Sequence, residues 1–161
     1  MANITDVLDP NNVLLSNKGY IKVDQVELAE LNSIEIKITP ETKTMGIMNS
    51  PTKAEIIVGY TGTITMELHK QYSRFKPALL ECAKKQRPFN FTLECTVNSP
   101  NDDGEQESIY IDNCWFKGEL TLAQLKADGE FLNEKFECGF SIETAEFTDT
   151  IDDGEDWKSI N

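Results

Sequence analysis

The chain has 161 residues, with 28 Asp and Glu against 15 Lys and Arg and a net charge of −13. That length fits one domain, which buries about 68–70% of the surface its unfolded form exposes and needs no disulfide or metal to fold. The acidity argues against a general nucleic-acid binder or a basic lipid anchor, and 39% hydrophobic residues with eight Phe exclude full disorder.

Residues 1–17 are polar, with Asp9, Pro10, Asn11 and Asn12, and read as a flexible arm whose apolar residues Val13, Leu14 and Leu15 can dock. The first ten lack a basic n-region and an apolar h-region, so no signal peptide is expected. No apolar run approaches the ~20 residues of a membrane span. From Gly19 the pattern becomes β. Tyr20 to Val23 and residues 27–31 flank a turn at Asp24 and Gln25, a predicted hairpin. The second strand is expected to run on through Ile34, Ile36 and Ile38, which alternate with Glu35, Lys37 and Thr39.

Residues 39–53 contain Pro40, Gly46, Asn49, Ser50 and Pro51 and read as a 15-residue loop. Loops that long inside compact domains are usually functional. Met45, Ile47 and Met48 are unexpected in a solvated loop, so it reads either as contacting a partner or as folded over its own core. Residues 54–69 return to strand, with Gly59 and Gly62 as markers of a bulge or a close backbone approach.

One helix is predicted over about 73–86. Ser73 is placed to cap it, Pro77 fits its first turn, and Phe75, Leu79, Cys82 and Gln86 form an apolar stripe. Arg74, Lys76, Lys84, Lys85 and Arg87 make a basic opposite face, read either as solvated or as docking an acidic partner.

Strands are expected again at 89–97, 108–116 and from Leu120, then across 131–144 after a turn at Asp128 and Gly129. The acids are segregated. Residues 101–107 and 143–156 hold 11 of the 28 and no base, leaving 17 acids against 15 bases elsewhere. The reading is a near-neutral β body, residues 18–147, with an acidic loop and an acidic tail over 148–161.

No catalytic constellation emerges. His69 is the only histidine, and the glycines form no phosphate-binding loop. Asp-Asp-Gly occurs at 102–104 and 152–154, but EF-hand alignment on Gly104 or Gly154 places Tyr110 or Ile160 where a bidentate Glu is required. No cofactor or metal site is assigned, and no enzyme is expected. The cysteines Cys82, Cys95, Cys114 and Cys138 form no CxxC and read as reduced, buried thiols.

The order of features carries a resemblance. The opening hairpin precedes Gly-Tyr-Thr-Gly-Thr-Ile-Thr at 59–65, then His69, Lys70 and the helix. Pro-Phe-Asn-Phe-Thr-Leu at 88–93 follows, then Ser-Ile-Tyr-Ile-Asp-Asn-Cys-Trp-Phe at 108–116, and finally residues 136–147. This set resembles the tail tube proteins of contractile phage tails, including those of defective prophages and phage-tail-like bacteriocins. The resemblance implies an antiparallel β-sandwich or half-barrel with one flanking helix. It also implies homo-hexameric rings that stack into a tube inside a sheath, with baseplate and tail terminator proteins as further partners and no membrane anchor. The protein is then expected in a virion tail or tail-like particle after synthesis in the bacterial cytoplasm, serving DNA delivery or membrane puncture. Readings kept open are a major tail protein of a non-contractile tail, a type VI-like tube, and a monomeric β-sandwich binding module.

Under that resemblance Glu35, Lys37, Thr63, Thr65 and Glu67 are expected to face the lumen. They hold no dense basic cluster, which suits DNA passing without specific binding. The basic helix face, Lys76, Lys84, Lys85 and Arg87, is expected to meet acid on a neighbour or on the sheath, and the loop 39–53, with Met45, Ile47 and Met48, to be an inter-subunit or inter-ring contact.

Overall fold

The computed structural model describes residues 13–100 and 105–151. Most of the expected N-terminal arm, both Asp-Asp-Gly sequences and most of the acidic tail lie outside the described residues.

Eight strands form one antiparallel sheet in the order β2-β1-β5-β6-β7-β4-β3, with β8 also paired to β6. The strands are β1 (Gly19–Val23), β2 (Val26–Glu27), β3 (Leu31–Gly46), β4 (Lys53–His69), β5 (Asn90–Asn98), β6 (Gln106–Lys117), β7 (Asn133–Phe140) and β8 (Ala145–Asp149). The helix α1 (Lys76–Lys84) joins β4 to β5. The mainly β class with one flanking helix is as the sequence predicts.

The first hairpin closes through Asp24 and Gln25, whose φ angles of 49° and 68° are those of a tight turn matched to strand twist. Asp24 tolerates this because its carboxylate accepts the Thr92 N–H at 2.8 Å. The expected continuation into the next strand does not occur. β2 ends at Glu27, and β3 begins at the opposite end of the strand order. Alternation alone cannot reveal this change of partner.

The two halves of the sheet meet at β6, which changes partners along its length. β6 pairs with β8 through Ser108 to Ile111 and with β7 through Trp115 to Lys117, and Asn113 between them has φ 55°. The chain between β7 and β8 turns through a 3-10 segment, Ile142–Thr144. The inner faces of the two halves then enclose a core of Ile21, Leu93, Ile111, Ile64, Met66 and Phe136 among others. Gly62 is required where the strands meet, since a Cβ there would lie 2.7 Å from the Phe140 ring.

Helix α1 is shorter than predicted. Phe75 occupies its N-cap without a side-chain hydrogen bond, so Ser73 does not cap it, and Pro77 sits in the first turn. Phe75 and Leu79 are buried, Cys82 is half-buried, and Gln86 is exposed past the end at φ 55°. Phe75 seats the helix edge-on to Phe136, with ring centroids 5.5 Å apart.

The strand expected from Leu120 is absent. Residues 118–132 are an irregular connection between β6 and β7. The turn there does form, with Gly129 at φ 72° and the Asp128 carboxylate accepting the Glu130 N–H.

All four cysteines are free thiols, with Cys114 and Cys138 buried. Burial, reinforced by Asp112 and Asp24, pushes the Cys114 thiol up to about 12, and burial also pushes Cys138 up. Thiolate is the reactive form. In a folded sample at pH 8, a colorimetric thiol reagent is therefore expected to leave these two unreacted until denaturant is added. Four equally fast thiols without denaturant would contradict the burial.

Candidate assembly surfaces

Residues 39–53 are not a loop. Strand β3 continues through Gly46, β4 begins at Lys53, and the turn between them occupies only 47–52. Pro40 misleads because it lacks an N–H, yet it sits opposite Tyr60 on an edge strand, where that loss is tolerated. Within the turn, Asn49 adopts φ 61° and the Ser50 N–H reaches the Ile47 carbonyl.

The third strand, β7, accompanies this hairpin only from His69 to Gly62. Beyond Gly62 the hairpin is a two-stranded arm, and the pairing Glu41 to Gly59, then Thr42 to Ile57, leaves Val58 as a bulge. β4 has 17 residues, so at ~3.3 Å per residue it spans roughly 50 Å, about half of it in the arm. Ile38, Met45, Ile47, Met48, Ile56, Ile57, Val58 and Tyr60 are all at least 46% exposed, and Met48 is 88% exposed. A two-stranded ribbon is marginal in water. Apolar side chains exposed along its length are of the kind that interaction surfaces carry.

The five residues expected at a lumen lie together on one sheet face, opposite the core. Register pairs Glu35 with Thr65 and Lys37 with Thr63. The same rows continue across β7 and β6, from Thr65 to Glu137 to Lys117 and from Thr63 to Gly139 to Trp115, while Glu67 pairs with Lys135. Sequence reasoning missed Lys117, Lys135, Glu137 and Trp115. Their alternation with Phe116, Phe136 and Cys138 is the signal that finds the charged residues once the strands are aligned. The completed face carries three acids, Glu35, Glu67 and Glu137, and three bases, Lys37, Lys117 and Lys135. Lys37 and Glu35 are 3.4 Å apart. Trp115 lies flat enough over Gly139 that a Cβ there would meet its indole nitrogen at 2.7 Å.

The basic helix face is divided. Lys84, Lys85 and Arg87 are exposed, and Lys85 is 4.0 Å from Glu81. Lys76 instead turns inward to Glu134 at 3.2 Å, which Lys70 also meets at 2.5 Å. Arg74 pairs with buried Glu30 through both carboxylate oxygens, its second contact being 3.2 Å. Two buried carboxylates thus clamp the cationic segment between β4 and α1. Nothing in the local sequence around Glu30 or Glu134 marks them as buried.

For Glu30, burial pushes its carboxyl up, but the Arg74 hydrogen bond, its own backbone N–H and the Arg74 charge together hold it below 4.5. A lowered folded value means stabilisation that is complete above about pH 4.5 and lost as pH falls through the folded value. Arg74→Met leaves Glu30 without its partner. A loss on the order of 2–3 kcal/mol is expected at pH 7, discounted for the partly exposed guanidinium. The gap to wild type should narrow below pH 4.5 as Glu30 protonates. Urea melts at pH 7 and pH 3.5 read both, and a gap that is the same at both would remove Glu30 as its cause.

The irregular connection 118–132 forms, with the start of α1 and of β7, an open cleft of about 520 Å³ lined by Pro77, Leu120, Leu122, Leu125 and Leu132 among others. Leu125 and Phe131 are 93% and 92% exposed. Lys70 and Lys76 stand on its wall. Among the described residues no His, Cys, Asp and Glu cluster suited to a metal ion occurs, and His69 is an exposed partner of Asn133 at 2.8 Å.

Comparison with known proteins gives the same picture. A family model described as phage tail tube protein matches residues 6–149. The Phage-like element PBSX protein XkdM of Bacillus subtilis (strain 168) is 23% identical over 146 residues, 91% of this chain and 97% of that protein. Similar folds occur in the anti-feeding prophage cap, a tube terminating cap, with TM-score 0.69 and 10% identity over 93% of this chain and 100% of that one. The sheath/tube terminator of the PVC extracellular contractile injection system gives 0.64 and 11% over 86% and 99%. Its sheath-tube complex gives 0.61 and 8% over 86% and 93%.

Proposed function

We propose that this chain, which belongs to the phage tail tube protein family, forms the inner tube of a contractile phage tail or tail-like particle by stacking hexameric rings. The observation that carries this reading is the β3–β4 arm. An isolated copy leaves eight large apolar side chains at least 46% exposed. It also leaves the whole outer edge of a 16-residue strand unpaired by sheet neighbours. Edges of that length are normally blunted or covered. A repeated heterologous contact covers them in every copy and closes into a ring when the rotation allows.

In such a ring the polar sheet face lines the channel. Glu35, Lys37, Thr63, Thr65 and Glu67 stand there with Lys117, Lys135 and Glu137. Each basic residue has an acidic neighbour along its row or on the next, so a passing phosphate backbone finds few free cations to exchange for its counterions. The conduit then delivers DNA or, in a bacteriocin-like particle, drives puncture. The sheath, baseplate and terminator proteins are the partners this role requires. Residues 1–17 and the acidic tail act as appendages of a tube domain spanning 18–147.

Electron microscopy of the concentrated full-length protein tests the reading. Hollow rings or tubes with sixfold symmetry and the Glu35–Thr65 face inside are expected. Particles that remain single copies at millimolar concentration, or tubes with that face outward, contradict it.

A further inference from the structure

An apolar groove of about 220 Å³ opens between the two halves of the sheet, lined by Ile34 and Ile36 of β3, Cys95 and Val97 of β5, Ile109 of β6 and Phe147 of β8. Register explains why they converge. Ile34 and Ile36 stand opposite buried Met66 and Ile64, Cys95 stands opposite Ile109, and Ile109 stands opposite Phe147. Cross-strand partners share a face, and Val97, two residues beyond Cys95, shares it too. All six therefore point to the core side of their strands. Yet Phe147 is 58% exposed, and Ile38, next along that face of β3, is 52% exposed. β3 and β8 each pair on one side only, so among the described residues no strand closes the groove. Its volume exceeds the roughly 150 Å³ of an apolar cavity that takes up benzene, so it holds about two aliphatic side chains.

The start of the chain stands beside this groove. Gly19 pairs with Val97, and the Asn98 N–H donates to the Lys18 carbonyl at 2.9 Å. The Lys18 N–H in turn reaches the Leu15 carbonyl at 3.2 Å, closing a turn that reverses the residues before it. Ahead of Val13 lie twelve residues, which extended would reach roughly 40 Å. Their branched aliphatic residues are Ile4, Val7 and Leu8, with the spacing that gathers side chains on one face of a helical turn. Asp9, Pro10, Asn11 and Asn12 follow, all residues that favour a change of direction.

We propose that Ile4, Val7 and Leu8 of the N-terminal segment seat in the groove of their own copy, covering Phe147, Ile34 and Ile36. The contact is apolar. Glu107 is the charged residue of the lining, and the segment's acids, Asp6 and Asp9, lie outside the three seated positions. A segment tethered this closely presents itself at an effective concentration on the order of millimolar, above that of any second chain in a dilute sample. The inference concerns a single copy and does not rest on the tube reading.

Cys95 reports whether the groove is filled, because a thiol under other side chains reacts slowly. Cys82→Ser removes the other half-buried thiol, leaving buried Cys114 and Cys138. In that full-length background Ile4→Ser/Val7→Ser/Leu8→Ser is expected to speed the reaction of Cys95 with a thiol reagent at least tenfold, at every protein concentration, with an unchanged circular dichroism spectrum. A second measurement needs no loss of packing. Leu8→Cys in the same background, oxidised while dilute, is expected to form an intramolecular disulfide with Cys95, identified by peptide mass, at least tenfold faster than Ala2→Cys does. An unchanged Cys95 rate overturns the proposal, as does equal cross-linking from positions 2 and 8, which tethering alone would give. Protection of Cys95 that appears only as protein concentration rises overturns it in favour of a second copy on the groove. Rings and tubes are read separately by microscopy, so each of these results leaves the tube reading standing.

Discussion

Phe136→Ala is expected to lower the stability of the folded chain by about 3–5 kcal/mol. Phe136 is 2% exposed on β7. Its ring meets Phe75 edge-on at 5.5 Å and Phe116 at 5.7 Å, and Phe116 in turn lies 4.8 Å from Phe91. One ring therefore joins the helix end, the pair β6 and β7, and, through Phe116, β5. Removing it opens a cavity that rings held by three different elements cannot close together, which is the condition for the upper end of the cost. A domain of this size has about 5–15 kcal/mol in total, so the variant should lose roughly a fifth or more of its margin. Urea denaturation measures this as a midpoint lower by roughly 1.5–2.5 M for a slope near 2 kcal/mol/M. Phe131→Ala, at a position 92% exposed, should change stability by less than about 0.5 kcal/mol. Equal shifts in the two variants would mean that the aromatic cluster does not hold the helix to the sheet.

Legibility in the sequence follows the range over which each signal acts. Ile64, Met66 and Leu68 alternate with polar residues within one strand, so their face is readable from a seven-residue window, and all three are buried. The turn at Asp24 and Gln25 is equally local. The swap of partners between β2 and β3 is not, because it depends on which distant strand offers a free edge. The arm was hidden for a third reason. Pro40 and Gly46 carry the statistics of loops, but on an edge strand a missing N–H and a missing side chain cost little. Met45 and Ile47 among them are the contrary signal: they stand at the end of β3 and the start of the turn, each about half exposed. Glu30 and Glu134 were invisible because a carboxylate is placed inside only by the cations that meet it, and Lys70, Arg74 and Lys76 come from a different element.

Deleting the arm should separate assembly from folding. Residues 42–58 replaced by Asn-Gly join Glu41 directly to Gly59, which already face each other across the hairpin, and supply the two-residue turn that strand twist favours. None of the removed residues is buried, and the hydrogen bond from Thr61 Oγ1 to Glu41 at 2.7 Å remains to close the shortened hairpin. Stability is therefore expected to change by no more than about 1 kcal/mol, with a sharp urea transition retained. Assembly should be lost outright, read as sedimentation of a single species at concentrations where the full chain forms rings or tubes. Most of the apolar side chains on the arm are about half exposed in one copy, and each gains roughly 1 kcal/mol when covered. That gain is expected to fall on contacts between copies. An armless chain that still builds tubes would place the assembly energy elsewhere on the body. An armless chain that fails to fold would show that the arm is bound into the core after all.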